Sequence, residues 1–425
     1  AYNDEKDYIY IFIGCLLLTS CSGMLDIESH SAVSPGSVTP QDLSALRMGM
    51  YNKVQNSPTR ESYITFDILG GDLTQSTGYA KDLINSVLSS LNSIVSSSWN
   101  GYYNALYQVN NVLSIVESLP ESELRNLIIG EAHYFRAYIY HALVTRWGGV
   151  PIQKVNTMEK PFRDSEEAVW SFIEEELQTA LAFLGTSSSY YYVSRDAALA
   201  LKARVMLERG NLTEAATLAE GLITDGKYKL DSFDKIFRGK SNTEVIFSFQ
   251  CLAEESNITI STLFYTYAHP NHGSYVYRPT NEVMNMYDDK DKRKEVSIIN
   301  VGSEPCINKY PSGQTGTDPV VMSRLAEMYL ISAEAQGFPK GLGRLNDLRK
   351  ERGLESVDPK DKDEFLQCVL DERRKELLAE GFRYYDLIRT NTAKTTLGLK
   401  DYQHVLPIPG KEMISNPNLE PNPGY

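Results

Sequence analysis

The sequence predicts a mostly α-helical protein, built from antiparallel helix pairs with irregular loops and a few short strands between them. The first indication is two long apolar stripes, in residues 99–120 and 121–151, whose members recur at three- and four-residue steps. A very short turn separates them, as in a helical hairpin. The second indication is a pair of shorter hairpins with the same spacing, in residues 194–224 and 323–353. We therefore expect helices packed on helices to form the core.

The boundaries of the longest predicted helix follow from its end residues. Glu121 and Glu123 suit its first turn, where the helix macrodipole favours negative charge. Gly148 and Gly149 can adopt the positive φ of a C-cap, and Pro151 cannot continue a helix.

The two shorter hairpins resemble tetratricopeptide repeats, in which a helix turns tightly into a second one that packs on small residues. In the first hairpin, predicted helices at 194–209 and 212–224 flank a Gly-Asn turn. The second contains RLAEMYLISAEAQ followed by LGRLNDLRKERG. A further amphipathic helix is predicted at 165–184. The repeats do not keep a strict period.

Two regions, residues 56–98 and 226–320, lack this regular spacing and are predicted to be irregular excursions from the scaffold. The second contains one predicted strand, residues 244–250, and a loop rich in tyrosine and histidine at 264–280. Loops held by a rigid scaffold are where binding residues tend to lie. We therefore expect the ligand site in these two regions.

Several classes of function are disfavoured by composition and motifs. The net charge of −13, without a long Lys/Arg block, argues against nucleic acid as a partner. The five cysteines include no C-x-x-C pair, and His269 and His272 have no cysteine or carboxylate at ligand spacing. We accordingly expect no metal and no cofactor. The sequence has no G-x-S-x-G, H-E-x-x-H or phosphate-loop motif, so no catalytic residue is nominated.

Residues 363–389 predict a helix whose apolar stripe also carries charges. Arg373 and Glu380 fall on this stripe, and a charge on a buried face needs partners. Glu372, Glu376, Arg383 and Asp386 are within helical reach or just beyond a turn at Gly381. The structural ion network that we predict consists of Arg373, Glu380, Arg383 and Asp386. We favour it because the interleaved arginines make it more plausible than a catalytic carboxylate pair.

The N-terminal residues 1–20 predict a secretion signal of the lipoprotein type. Residues 8–18 form an apolar run that is too short to span a bilayer. The following Leu18-Thr19-Ser20-Cys21 resembles a bacterial lipobox, in which the cysteine becomes the lipidated first residue of the mature chain. The alternative is a buried hydrophobic segment with an incidental cysteine. Residues 21–40 are predicted to be a tether rich in Ser, Gly and Pro, and residues 41–425 a single domain.

Taken in order, the motifs of the chain resemble the SusD/RagB family of outer-membrane nutrient-binding lipoproteins from Bacteroidetes. The resemblance covers nearly the whole mature chain and is weakest in residues 56–98 and 226–320. Its main segments are Cys21, Arg136-Ala137-Tyr138, Trp147-Gly148-Gly149-Val150-Pro151, RLAEMYL from Arg324, ERRKEL from Glu372 with Glu380-Gly381, Arg383-x-x-Asp386-Leu387-x-Arg389, and Leu406-Pro407-Ile408-Pro409.

The resemblance implies four tetratricopeptide-like helix pairs in an α-α superhelical scaffold. It also implies a lipid anchor in the outer membrane, facing outward, and a lid-like role over a SusC-like TonB-dependent transporter. The ligand would be a glycan or, less often, a peptide, and no reaction is expected. Two alternatives remain. One is a surface glycoside hydrolase, which would need two carboxylates about 5–9.5 Å apart, and the other is a helical adaptor that binds only protein.

The ligand candidates are aromatic and polar side chains of the irregular regions. A sugar offers C–H faces to an aromatic ring while its hydroxyls need hydrogen bonds at the rim, so a tyrosine with a polar neighbour meets both demands. The alternative for any single tyrosine is that it packs the loop or contacts the transporter. The candidates are Tyr79, Tyr265, Tyr267, Tyr275 and Tyr277, with Asp72 and His272 as polar partners.

The lipobox interpretation predicts that Cys21→Ala releases the protein from the outer membrane, because one substitution removes the acyl chains that supply the membrane affinity. Fractionation of cells that lack the transporter measures this directly. Cys15→Ala, which changes a cysteine before the lipobox cysteine, should stay with the membrane. A Cys21→Ala protein that still sediments with outer membrane would contradict the interpretation.

Overall fold

The computed structural model describes residues 38–75 and 80–425. By internal contacts the chain divides into two units, residues 1–42 and 43–425. The described end of the first unit contains a short 3₁₀ turn, Pro40–Asp42. All helices and strands named below belong to the second unit. Cys21 lies outside the described residues.

The second unit is dominated by helices. In chain order they are α1 (Leu43–Asn56), α2 (Thr65–Leu69), α3 (Lys81–Ile84), α4 (Ser93–Glu117), α5 (Glu123–Trp147), α6 (Glu166–Phe183), α7 (Arg195–Glu208), α8 (Leu212–Thr224), α9 (Phe233–Phe237), α10 (Ser261–Phe264), α11 (Asn281–Asn285), α12 (Lys294–Ser297), α13 (Leu325–Gln336), α14 (Leu342–Glu351), α15 (Lys362–Glu376), α16 (Arg383–Arg389), α17 (Ala393–Leu397) and α18 (Gly410–Ser415). Among the helices of the described residues, none has the length and hydropathy needed to cross a bilayer.

Six short strands form three two-stranded antiparallel ribbons within the described residues. The strands are β1 (Leu73–Gln75), β2 (Val245–Phe249), β3 (Tyr277–Pro279), β4 (Ile298–Val301), β5 (Glu304–Ile307) and β6 (Val320–Arg324). Strand β2 is the predicted strand, and all five of its residues are buried. It pairs with β6, directly before α13. Ribbon β1–β3 joins the two irregular regions, since Leu73 pairs with Pro279 and Gln75 with Tyr277.

The scaffold consists of helix pairs that stack on one another. Helix α1 packs on α4, α5 on α6, α7 on α8, and α13 on α14. Successive pairs also touch through the contacts of α4 with α5, α6 with α7, and α8 with α13. This arrangement confirms the predicted fold class, a mostly α protein with tetratricopeptide-like helix pairs.

Local sequence explains where the longest helices begin and end. Asn92 caps α4, its side chain accepting hydrogen bonds from the backbone of Ile94 and Val95. Helix α4 therefore starts at Ser93, six residues before the predicted Trp99, and the serine-rich stretch before Trp99 is helical. Gly148 ends α5 with a φ of 68°, the positive value that was predicted.

The turn predicted at Gly381 separates α15 from α16. In the turn, Ala379 and Gly381 have φ values of 60° and 83°. The buried carboxylate of Asp67, in α2, accepts hydrogen bonds from the backbone N–H groups of both residues at 2.7 Å. A Cβ at position 381 would lie 2.7 Å from the Tyr63 carbonyl oxygen. The glycine is therefore required by both its conformation and its surroundings.

A buried ion network is centred on Glu376, the last residue of α15. Its carboxylate accepts hydrogen bonds from Arg324 at 2.6 Å, Arg352 at 2.8 Å and Arg293 at 2.9 Å. Its side chain is fully buried. Burial alone would raise the pKa of Glu376, but Arg352, Arg324 and Arg293 together hold that pKa well below its usual range. The three arginines thus stabilise the charged form of Glu376 inside the protein.

The network extends along α15 to Glu372, which contacts Arg293 at 2.6 Å, and beyond α15 to Glu380. Glu380 contacts Lys309 at 2.6 Å and Arg324 at 2.9 Å, and Arg324 also contacts Glu244 at 2.8 Å. Burial is the largest influence on Lys309 and lowers its pKa to about 8, although Glu380 acts in the opposite direction.

A second buried cluster surrounds Asp386. Arg373 contacts Asp386 at 2.8 Å, and Arg389 contacts the other oxygen of the same carboxylate at 2.6 Å. Burial would raise the pKa of Asp386, but the two arginines lower it. Of the four residues expected to form one network, Arg373 and Asp386 pair with each other, whereas Glu380 belongs to the network around Glu376. Arg383 forms no ion pair with a described residue, and its side chain instead packs against Gly70. This part of the prediction is wrong because α16 begins at Arg383 and points it toward α2.

We predict that Arg373→Ala lowers the free energy of unfolding by roughly 3–5 kcal/mol, because it leaves a buried carboxylate with one partner fewer. Chemical denaturation measures the change. Lys375→Ala is the matched control, since Lys375 is a half-buried cation on the same helix that forms no ion pair with a described residue. Equal, small losses for both variants would show that the buried pair has no architectural role.

Candidate functional site

The segment between α10 and β3, residues 265–276, carries most of the predicted ligand candidates. We call it the aromatic loop. Its C-terminal end is fixed by the pairing of β3 with β1. Its N-terminal end follows α10, whose four residues are all buried. The loop is therefore held at both ends by the folded core.

Three of the predicted candidates lie in the interior. Tyr265 and Tyr277 are fully buried. Tyr265 stacks on His269 with ring centroids 3.7 Å apart, and its hydroxyl donates a hydrogen bond to Asn308. Asp72 is also buried, and its carboxylate lies 2.6 Å from Arg374. Burial raises the pKa of Asp72 despite the opposing charges of Arg374 and Arg383. The expectation that these three side chains face a ligand is corrected, because Tyr265 and Tyr277 lie in the interior and the buried Asp72 pairs with Arg374.

Tyr267 and His272 form the exposed part of the loop. The Tyr267 side chain is 80 % exposed. Its ring stacks on the imidazole of His272, with centroids 5.0 Å apart and an interplanar angle of 29°. The imidazole donates a hydrogen bond from Nδ1 to the Tyr267 carbonyl oxygen at 2.6 Å. These contacts hold the Tyr267 ring against His272 on one face and leave its other face accessible to a ligand.

The backbone of the aromatic loop is conformationally constrained. His272 and Tyr275 have φ values of 41° and 47°, which is unusual for residues with side chains. A Cβ at Gly273 would lie 2.2 Å from the Tyr265 carbonyl oxygen. Backbone strain of this kind persists only where the surroundings over-determine it, and it is common at ligand sites. The loop is thus a preformed surface.

Tyr275 is half-buried at the side of the loop. Its hydroxyl donates to the Pro305 carbonyl oxygen at 2.8 Å and lies 3.2 Å from Glu304. Burial and the nearby Glu304 carboxylate raise the pKa of this hydroxyl. Tyr275 therefore connects the aromatic loop to the β4–β5 hairpin. Tyr79, the remaining candidate, lies outside the described residues.

The exposed surface has groups that suit binding of a sugar. An aromatic face such as that of Tyr267 attracts the C–H face of a sugar, and the exposed His272 imidazole stacked on it offers hydrogen bonds to hydroxyls. Among residues 38–75 and 80–425, no group of three His, Cys, Asp or Glu side chains is arranged to hold a metal ion. Sequence reasoning missed Glu304 and Asn308, because these residues of the β4–β5 hairpin and the segment after it lie 29 and 43 residues beyond their partners Tyr275 and Tyr265.

Comparison with known proteins identifies the family. Residues 24–207 match a family model described as "Starch-binding associating with outer membrane", and residues 306–405 match the model of the SusD family. The chain belongs to the SusD family. The predicted resemblance is confirmed, and the two matched regions contain most of the helix pairs described above.

Relatives of this SusD-family chain match it over nearly its full length. The SusD-like protein P38 of Formosa agariphila is 25% identical, with 98% of each chain covered. A solved structure described as a laminarin binding SusD-like protein superposes with a TM-score of 0.78 at 22% identity, covering 91% of this chain and 100% of that one. Surface glycan-binding protein A from Bacteroides thetaiotaomicron, solved in complex with laminarihexaose, gives a TM-score of 0.79 at 18% identity with the same coverage. The two structures share the fold of this chain.

Proposed function

We propose that this protein is a cell-surface glycan-binding protein that captures an oligo- or polysaccharide and delivers it to a SusC-like TonB-dependent transporter. The aromatic loop is the proposed contact with the glycan. Cys21 is the proposed lipid anchor in the outer membrane, with the folded domain on the outward face. The proposal includes no catalytic step.

Membership of the SusD family supports a carbohydrate ligand. One matching model carries starch binding and the outer membrane in its description. Two structures with the same fold are described by their binding of laminarin or of a laminarin hexasaccharide. Neutral oligosaccharides are therefore the first ligands to test.

The observation that carries the proposal at residue level is the exposed ring of Tyr267. A large aromatic side chain that is 80 % exposed gains nothing from burial in the free protein. The ring nevertheless stacks on His272, in a loop whose backbone is conformationally constrained. A ring that is fixed in advance loses little conformational freedom when a sugar stacks on it, which favours affinity. The site therefore has the properties of a binding platform.

We predict that Tyr267→Ala weakens glycan binding by roughly 1 kcal/mol or more, which is at least about five-fold. Isothermal titration with laminarihexaose and a panel of other neutral hexasaccharides measures the change. Tyr267→Phe should retain most of the affinity, because it keeps the aromatic face and loses only the hydroxyl.

Phe183→Ala is the matched control, since it removes an exposed aromatic ring from α6. Circular dichroism should show the native fold in all three variants. Unchanged affinity of Tyr267→Ala for a glycan that the wild type binds would exclude the aromatic loop as the site. Binding of peptides, with no glycan bound, would contradict the carbohydrate assignment itself.

A further inference from the structure

A second concave surface lies away from the aromatic loop. It has a volume of about 520 Å³ and is formed by the first half of α4, the segment 151–161 and the region of α18. We call it the α4–α18 cleft. Its volume falls within the range of small-molecule sites, roughly 300–1,000 Å³. No residue of the aromatic loop lines it.

One wall of the cleft is a fixed aromatic cluster. Tyr103 packs on Trp99 with ring centroids 4.9 Å apart, and Trp99 meets Trp147 edge-on at 5.2 Å. The Tyr103 hydroxyl donates a hydrogen bond to the Pro151 carbonyl oxygen at 3.0 Å. The side chain therefore cannot swing away from the wall without breaking this hydrogen bond.

Most of the polar side chains that line the cleft form no hydrogen bond with a described residue. The side-chain amides of Asn100, Asn104 and Gln153 form no hydrogen bond with a described residue, although all three line the cleft. Asn416 differs, because its amide donates to the Pro161 carbonyl oxygen at 2.8 Å. Asn100 and Asn104 are one helical turn apart on α4, so they lie on one face of that helix. Three free amides thus surround one cavity.

Glu412 adds a carboxylate to this set. It is half-buried, and burial raises its pKa. No hydrogen bond or ion pair with a described residue compensates for that burial. A partly desolvated carboxylate without a donor is unfavourable, and a ligand hydroxyl that donates to it would restore the lost interaction. The cleft is therefore polar, with two exposed amides on α4 and a half-buried carboxylate that has no donor among the described residues.

We propose that the α4–α18 cleft is a second carbohydrate site, which binds a neutral sugar ring independently of the aromatic loop. Amides both donate and accept hydrogen bonds, as sugar hydroxyls do, and the Tyr103 wall offers an apolar surface. Glu159 and Lys160 also line the cleft and contribute one charge of each sign. The inference rests on the proposed function, in that it assumes a glycan ligand. It adds a second point of attachment, which increases the avidity for a long polysaccharide.

Titration calorimetry of the full chain with laminarihexaose, cellohexaose and maltohexaose tests this proposal. The wild type should bind two molecules of the recognised hexasaccharide, and Tyr267→Ala should bind one. Asn104→Ala and the isosteric Glu412→Gln, each made both in the wild type and in Tyr267→Ala, should weaken binding at the cleft at least about ten-fold. Gln108→Ala, which removes an amide of the same helix that does not line the cleft, should have no effect.

The possible results separate this inference from the proposed function. A single site that is lost in Tyr267→Ala and unaffected by the cleft variants would overturn the second site and leave the function intact. A single site that is lost only in the cleft variants would support the cleft and exclude the aromatic loop. Absence of binding to all three hexasaccharides would overturn the second site for this class of ligand and contradict the proposed function.

Discussion

The rest of the structure depends on one constraint, which is that the buried anion Glu376 must be surrounded by cations. Its three arginines come from three separate places, namely the start of α12, the end of β6 and the end of α14. An unpaired charge in this position would cost several kcal/mol, so these segments have to converge. The network therefore fixes part of the second irregular region onto the helix pairs. Glu380 extends it to Lys309, just after β5.

The position of the aromatic loop follows from this attachment. The β4–β5 hairpin lies between Arg293 and Lys309, both of which are tied to the network, and Tyr275 donates to Pro305 in that hairpin. The other end of the loop is held by β3 against β1. A charge cluster inside the helical scaffold thus determines where Tyr267 is presented. Such preorganisation lets a surface loop bind without first paying to become ordered.

Sequence periodicity predicted the helix pairs well, because the apolar residues that pack within each pair recur at three- and four-residue steps. It did not predict structure that depends on a residue far away in the chain. The serine-rich residues before Trp99 are helical because Asn92 caps them and Ile94 and Val95 are buried. Tyr265 and Tyr277 are interior. The hydroxyl of Tyr265 bonds to Asn308 and the backbone of Tyr277 pairs with β1, and no local sequence pattern predicts either contact. Likewise, the partners of Glu380 are Arg324 and Lys309, so a prediction confined to one helix could not identify them.

We infer that the helical scaffold holds the aromatic loop in the conformation that contacts the glycan. Hydrogen–deuterium exchange of the free and hexasaccharide-saturated protein tests it most directly. We expect the backbone amides of residues 265–276 to be partly protected from exchange in the free protein and to gain protection with ligand. The exchange rates of α13 and α15 should not change. Fast exchange of the loop in both states, with protection gained only elsewhere, would contradict this inference.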